Sequence, residues 1–290
     1  MLKPLLKRMV PPAAWNSLKV FRASLAYRLD RILSYCGRKS LLVCRRIFPG
    51  HGEAMTFAML CFRRTTYIEL AIDSINSLHY HNPRHKVLLH VDEVCMAAYW
   101  RFKGRLDYPN MVETLLIKDD PDQPWPYTKL EIVLAMAEKG IPFVDADSRW
   151  HVDPAPLLAG SDPMFLVVVN AFSDNETERK LLELWLGKPQ WTRYLHYNTG
   201  FVYFPPGSYR SEFGTLARRL ARRIREAEAL PGEGGALFAA TGRVCEEIAL
   251  GLAAQEICGD MKLRTLKVTD GPGDRNIMQS FYYGCVNGIV

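Results

Sequence analysis

The sequence contains no apolar run that approaches the roughly 18–20 residues a helix needs to cross a bilayer. Its first residues also lack the uninterrupted apolar segment of a signal peptide, because basic residues and a Pro-Pro pair interrupt it at positions 3, 7, 8, 11 and 12. We therefore expect a cytoplasmic protein that is not exported. If it meets a membrane, it does so peripherally, on the inner face.

The chain lacks the cysteine spacings of a zinc site or a redox pair, and its seven cysteines are an odd number. A complete disulfide framework is therefore disfavoured, and a reducing compartment is the simpler expectation. Internal repeats and low-complexity linkers are also missing. What is present is a chain of 290 residues with 48% hydrophobic and 11% aromatic content, which is enough to bury a substantial core.

The net charge of +6 is unevenly distributed along the chain. Residues 1–48 contain eleven Lys and Arg against one acid, so this segment carries +10 and the remainder carries −4. Because the basic charge belongs to the N-terminal segment and the body is mildly acidic, we expect no binding to nucleic acid.

Residues 1–50 form a predicted basic arm. Apolar side chains recur at three- and four-residue intervals from Leu18 to Ile32, which predicts an amphipathic helix with basic flanks. Two interpretations remain open. Residues 14–35 could lie on an anionic membrane surface, or the helix could dock its apolar stripe onto the protein and leave its arginines solvated.

From residue 55 onward, apolar runs alternate with helical patterns. The predicted order begins βαβαβαβ, with strands at 55–62, 86–91, 111–117 and 142–144 and helices at 67–78, 94–102 and 127–138. Further strands are predicted at 165–170, 200–204 and 263–268, and helices at 211–230 and 244–255. This alternation predicts an α/β domain over residues 51–290, with a Rossmann-like, mostly parallel sheet flanked by helices and ligands at the carboxyl ends of the strands.

Two carboxylates, Asp145 and Asp147, follow directly after the short apolar strand at 142–144. Side chains two residues apart in extended backbone share a face, so both carboxylates can reach one hard cation and its anionic ligand. Ala146 between them leaves room for a bulky ligand. The pattern predicts a site for Mn²⁺ or Mg²⁺.

The segment Phe143-Val144-Asp145-Ala146-Asp147 resembles the D-x-D region of glycosyltransferases with the GT-A fold. Asn198-Thr199-Gly200 is similar to the Asn-Ser/Thr-Gly strand that follows in many of them, and Lys129 matches a position that is often basic. The resemblance implies a GT-A-like catalytic domain that moves a sugar, as hexosyltransferases do, from a nucleotide-diphosphate-sugar donor, with a UDP-sugar favoured. The expected acceptor is a cell-envelope or lipid-linked glycan.

The resemblance also implies roles for individual residues. Asp147 would bind the metal and act in catalysis, Asp145 would bind metal and nucleotide, and Lys129 would pair with the diphosphate. Glu246 or Glu247 would bind the acceptor or act as general base, and we select Glu247. Other predicted donor-binding residues are Phe62, Arg63, Asp92, Ala146, Asn198 and Gly200. Purely structural roles remain open for several of these, such as a core position for Phe62, a solvated helix position for Lys129 and close backbone packing for Gly200.

The chain departs from the pattern in one respect, because residues 279–284 contain no late histidine to serve as a third metal ligand. Whether a metal is required is therefore open. Two other classes also remain. One is a haloacid-dehalogenase-like phosphatase with Asp145 as nucleophile, although the D-x-D here comes after three earlier strands, at the end of the fourth instead of the first, and the later acidic pair is missing. The other is a non-catalytic GT-A-like binding protein.

Overall fold

The computed structural model describes residues 53–120, 125–172, 195–228, 245–259, 264–267 and 278–280. The predicted arm, the Gly-rich segment 230–235 and most of the region around the missing histidine lie outside these residues. The described residues from 53 to 279 belong to one compact unit. The domain boundary at residue 50 stays a prediction.

The first half of the unit has the predicted alternation of strands and helices. Its elements are β1 (Thr56–Cys61), α1 (Thr66–His81), β2 (Lys86–Val91), α2 (Glu93–Phe102), β3 (Val112–Leu116), α3 (Trp125–Glu138) and β4 (Phe143–Val144). Two single 3₁₀ turns, Lys103–Arg105 and Pro109–Met111, connect α2 to β3.

The second half departs from simple alternation. Its elements are β5 (Ser148–Trp150), α4 (Ala155–Leu158), β6 (Met164–Phe172), β7 (Leu195–Tyr203), α5 (Ser211–Glu228), α6 (Cys245–Cys258), β8 (Arg264–Lys267) and β9 (Met278–Ser280). β5 and β9 form a separate two-stranded sheet. The sequence analysis missed β5 and β9, because three residues are too few to show a periodicity.

The main sheet has seven strands in the order β3-β2-β1-β4-β7-β6-β8. β7 runs antiparallel to β4 and β6, and the other pairs are parallel. The prediction of an α/β fold with a mostly parallel sheet is confirmed. Successive strands are added on one side of β1 as far as β3, and β4 then lies on the other side. Open α/β sheets bind ligands at the carboxyl ends of the strands where the order reverses, which here is the crevice position between β1 and β4.

Both faces of the sheet are covered, which is why its strands are apolar on both sides. Buried residues of α3, α5 and α6 pack on one face against Ala58, Phe143 and Phe165. Buried residues of α1 and α2 pack on the other face against Phe57 and Met59. Among the described helices, none is long and apolar enough to cross a membrane.

Candidate functional site

An ion pair between a buried lysine and a partly exposed aspartate lies at the carboxyl end of β4. The first residue after the strand is Asp145, whose backbone N–H donates to the Gly200 carbonyl oxygen (2.9 Å) and whose Oδ1 lies 2.7 Å from Lys129 Nζ. The Lys129 side chain, on α3, is only 10% exposed. Burial lowers the lysine pKa, but Asp145 and Glu246 outweigh that effect and raise it above its usual value. Lys129 is therefore a fixed positive charge next to the predicted metal ligands.

The second carboxyl group beside Lys129 is Glu246, in the first turn of α6. Its side chain has no exposed surface, and Oε1 lies 3.9 Å from Lys129 Nζ. Neither carboxyl oxygen has a hydrogen-bond partner among the residues that the structure describes. Burial raises its pKa to about 8, and Glu247 adds to the shift, while Lys129 opposes it. Glu246 is therefore largely protonated at neutral pH.

Asp147 is buried as well, with 7% of its surface exposed. Its pKa is raised to about 7, first because burial disfavours the charged form and then because Asp145 carries like charge; Lys129 opposes both effects. The intervening Ala146 is buried. The cluster thus contains two buried carboxyl groups, Asp147 and Glu246, whose ionised forms burial disfavours, and a further cation would favour those ionised forms.

Asp145 and Asp147 fit a Mg²⁺ or Mn²⁺ site in chemical terms. Both are oxygen donors, and Mg²⁺ often binds through one or two carboxylates with water and substrate phosphates completing its shell. The raised pKa of Asp147 fits the same interpretation, because a divalent charge would offset the repulsion between the carboxylates. Within the described part of the chain, no group of three or more His, Cys, Asp or Glu could hold a metal ion. Coordination by this pair stays a prediction.

The Asn198-Thr199-Gly200 segment lies against the same cluster through β7. The Gly200 N–H donates to Asn198 Oδ1 (2.6 Å), so Asn198 fixes the local backbone. A Cβ at residue 200 would lie 2.7 Å from Asn198 Oδ1 and 3.3 Å from Asp145 Oδ2. Gly200 therefore permits the close approach of β7 to Asp145. The absence of a side chain at residue 200 serves the packing of the strand and also places the strand beside the cluster.

Phe62, Arg63 and Asp92 gather at the ends of β1 and β2. Asp92 caps α2, because its Oδ1 accepts the Cys95 N–H (2.8 Å), and its Oδ2 accepts the Arg63 N–H (2.6 Å). Arg63 has φ of 60°, an unusual conformation for a residue other than glycine. Asp92 thus holds a strained turn at the edge of the crevice, and such turns occur often at functional sites.

The Arg63 guanidinium points toward the loop after β3. It donates to Asp119 Oδ1 (2.6 Å) and to the Asp120 carbonyl oxygen (3.0 Å), and its Cζ lies 4.9 Å from the centre of the buried Phe62 ring. The predicted nucleoside-binding residues are thus at the expected edge of the sheet, but Arg63 is paired with the protein itself. The sequence analysis did not anticipate Asp119, which no motif marks.

The Lys129 cluster and the group of Phe62, Arg63 and Asp92 both lie near the end of β1. Burial, Cys95 and then the negative charges of Asp92 and Asp145 raise the pKa of the Cys61 thiol, at the end of that strand. Tyr67, in the first turn of α1, also lies near the cluster. Burial raises its phenol pKa, and the charge of Asp147 raises it further. Tyr67 has no sequence signal of its own, because an aromatic residue at a helix start is usually assigned to the core.

Glu247, the glutamate that we selected from the sequence, is half-buried. Its charge acts on both Lys129 and Glu246, so it lies near the cluster. Glu246 is the neighbour that contacts Lys129. Only the structure shows which of the two glutamates is buried, because the sequence predicted α6 to begin one residue earlier than it does.

No protein-family model matches the chain, and no curated protein sequence matches it. Among solved structures, it is similar to glycosyltransferases. One is the galactosyltransferase LgtC in complex with donor and acceptor sugar analogues, with 10% identity, 73% of each chain covered and a TM-score of 0.45. A second is the bifunctional glycosyltransferase WbbM, with 11% identity, 75% of this chain and 39% of that chain covered and a TM-score of 0.46. A third is the mannosyltransferase PcManGT from Pyrobaculum calidifontis in complex with GDP-Man and Mn²⁺, with 14% identity, coverages of 84% and 82% and a TM-score of 0.31.

Proposed function

We propose that the protein is a glycosyltransferase that moves a sugar from a nucleotide-diphosphate-sugar donor, with a UDP-sugar favoured, to an acceptor. The observation that carries the proposal is the buried Lys129 Nζ, 2.7 Å from Asp145 Oδ1 and 3.9 Å from Glu246 Oε1, at the crevice where the strand order reverses. Lysine and carboxylates buried together at such a position are typical of sites for charged ligands.

The residues around the cluster have separate proposed roles in binding the donor. Lys129 supplies a positive charge for the diphosphate, and Asn198 and Gly200 line the space for the donor sugar or the acceptor. Phe62, Arg63 and Asp92 form the edge that would receive the nucleoside. A divalent cation held by Asp145 and Asp147 would stabilise the negative charge that develops on the leaving diphosphate.

The two glutamates of α6 have different proposed roles because their burial differs. Glu246 has no exposed surface, so it cannot meet an acceptor hydroxyl and acts instead as a positioning residue for Lys129. Glu247 is partly exposed, so it is the candidate general base that would take the acceptor proton.

We propose a cell-envelope or lipid-linked glycan as acceptor, reached by a cytoplasmic protein that lies on the inner face of the membrane. The support is the sequence of the arm, whose +10 charge and apolar stripe suit an anionic lipid surface.

The test is donor binding and transfer by Asp147→Asn, which keeps the size of the side chain and removes its ability to ionise. We expect the variant to lose Mn²⁺-dependent binding of the donor in calorimetry and to transfer at least about a hundredfold more slowly. Glu113→Gln, an exposed carboxylate on the edge strand β3, is the matched control and should behave as the unchanged protein.

The assays use a panel of UDP- and GDP-sugars, with release of phosphate from phosphomonoesters measured in parallel. Transfer that survives unchanged in Asp147→Asn would contradict the proposed mechanism. Binding of a sugar nucleotide without any transfer would identify a binding protein, and phosphate release that requires Asp145 would identify a phosphatase. The position of the D-x-D after the fourth strand of the unit disfavours the phosphatase.

A further inference from the structure

A second cleft lies between helices α3 and α5, with a volume of about 370 Å³. One wall is formed by three arginines of α5, Arg218, Arg222 and Arg225, and the other by residues of α3 that include Tyr127, Leu130 and Glu131. Among the described residues that line the cleft, Asp120 alone also belongs to the site described above, where its carbonyl oxygen accepts from Arg63.

The cleft is separate from the Lys129 cluster because of the geometry of α3. Successive residues of an α-helix are rotated by about 100°, so residues 129 and 131 face nearly opposite directions. Lys129 is buried against Asp145, whereas the Glu131 side chain is 49% exposed and faces Arg218. A ligand in this cleft would therefore occupy a different position from the proposed donor.

Two of the three guanidinium groups are held in place by the walls of the cleft. Arg218 donates Nε to Glu131 Oε1 (2.8 Å) and Nη2 to Glu131 Oε2 (2.7 Å), which is a two-pronged ion pair. The Arg225 Cζ lies 5.3 Å from the centre of the Tyr127 ring. The Tyr127 hydroxyl in turn donates to the Ala221 carbonyl oxygen (2.6 Å), which anchors the ring to α5.

Arg222 lies between the other two in sequence, and its guanidinium makes no ion pair or hydrogen bond with any residue in the described part of the chain. Asp120 and Glu131 also line the cleft, so among the lining residues that the structure describes the three arginines exceed the acids by one charge. Arg219 and Arg223 add two more positive charges on the exposed surface of the same helix. The electrostatic potential of the cleft therefore favours the binding of an anion over that of a cation.

Guanidinium groups bind phosphate through paired hydrogen bonds, and this pairing favours arginine over lysine at such sites. The apolar contribution of Tyr127 and Leu130 suits a phosphate that is attached to a carbon chain. We propose that this cleft binds the phosphate group of a phosphomonoester, with Arg222 as the main contact. The phosphate could belong to a lipid headgroup or to a soluble metabolite, and the chemistry of the contact is the same.

The chain offers a matched pair of variants for the test, Arg222→Gln and Arg223→Gln. The two arginines are adjacent and exposed on α5, but Arg223 is not among the residues that line the cleft. Both variants remove one positive charge from the same helix. The probe is sn-glycerol 3-phosphate, titrated calorimetrically into the full chain with a chelator present, so that a divalent cation at Asp145 and Asp147 cannot contribute.

We expect Arg222→Gln to weaken binding of the probe at least about tenfold, because a charge-assisted contact is lost, and Arg223→Gln to weaken it less than about twofold. Equal losses in the two variants, or no binding to the unchanged protein, would overturn the site. Equal losses of affinity would mean that the anion is attracted by the overall charge of α5 and has no specific contact with Arg222.

A second arm of the experiment identifies the source of the phosphate. Sedimentation with phosphatidylcholine vesicles, with and without phosphatidic acid, is measured for the same two variants. A larger loss in Arg222→Gln than in Arg223→Gln on the phosphatidic acid vesicles supports the site and assigns it to a lipid headgroup. A difference between the variants that is seen only with the soluble probe supports the site and assigns it to a free phosphomonoester.

Discussion

Glu246 is buried next to a lysine, and its pKa of about 8 has a measurable consequence for stability. In the unfolded chain this carboxyl group ionises near its ordinary value of 4.5. Between these two values the folded state binds more protons than the unfolded state, so the free energy of unfolding falls as the pH rises through this window. We predict that Glu246→Gln removes part of this fall, because the amide has nearly the same shape and does not titrate.

The measurement is urea denaturation of both proteins at a series of pH values from about 5 to 8. The two unfolding free energies should be similar near pH 5 and should diverge toward pH 8, where the variant is the more stable. Glu113→Gln, at an exposed position, controls for the loss of one carboxylate. Curves that stay parallel would show that Glu246 does not titrate in this window.

The resemblance placed Lys129 and Asp145 in one donor site, with Lys129 expected to pair with the diphosphate; its ion pair with Asp145 was not predicted. The choice between Glu246 and Glu247 was different. Adjacent residues at the start of a helix point about 100° apart, and a shift of one residue in the helix start reverses which of them is buried. Sequence patterns locate helix ends less accurately than that, so this part of the site needed the structure.

The contact between β4 and β7 depends on Gly200, and Gly200→Ala tests it. The added Cβ would lie 2.7 Å from Asn198 Oδ1 and 3.2 Å from Leu166 Cδ2, so Asn198 would have to give up its hydrogen bond to the residue 200 N–H. We predict a loss of about 1–3 kcal/mol in the free energy of unfolding. Donor binding should also weaken, because Asp145 lies on the other side of the same contact.

Gly104→Ala is the control for this substitution. A Cβ at residue 104 meets nothing within 4 Å, so this change should leave stability unaltered or slightly improve it by reducing the freedom of the unfolded chain. Urea denaturation of both variants gives the comparison. If Gly200→Ala is as stable as Gly104→Ala, the close approach of β7 to Asp145 is not required.

The bounds of helices and strands with a clear hydrophobic periodicity were predicted within a few residues. The bounds of short elements, and of elements that mix polar and apolar residues, were not. The strand β7 was expected to begin at residue 200 and begins at Leu195. Its first part carries His196, Asn198 and Thr199, which interrupt the apolar pattern, and its pairing with β6 contains irregular register shifts. The antiparallel direction of β7 could not be predicted from the sequence either, because the direction of a strand relative to its neighbours depends on which strands become neighbours.

The charge of the molecule has two separate concentrations, the predicted arm in residues 1–50 and the arginines of α5. Only the second lies in the described residues, and there the pattern of burial explains it. Positions 213, 216, 217, 220, 221 and 224 are buried against the sheet, so the arginines at 218, 219, 222, 223 and 225 are left on the outer surface. The sequence predicted this amphipathic helix but not the cleft beside it, which depends on the packing of α3 against α5.

The arm gives a prediction for the intact molecule that is independent of the cleft. If residues 14–35 lie on an anionic membrane, replacing Arg22, Arg28 and Arg31 together by Gln should weaken capture by phosphatidylglycerol vesicles by about 1 kcal/mol per residue. Capture should also fall as salt is added, because the Debye length shortens. Phosphatidylcholine vesicles are the control and should bind little of either protein. If the helix instead docks its stripe on the protein, the three substitutions will leave vesicle capture unchanged, since the arginines are then solvated and contribute nothing to the lipid surface.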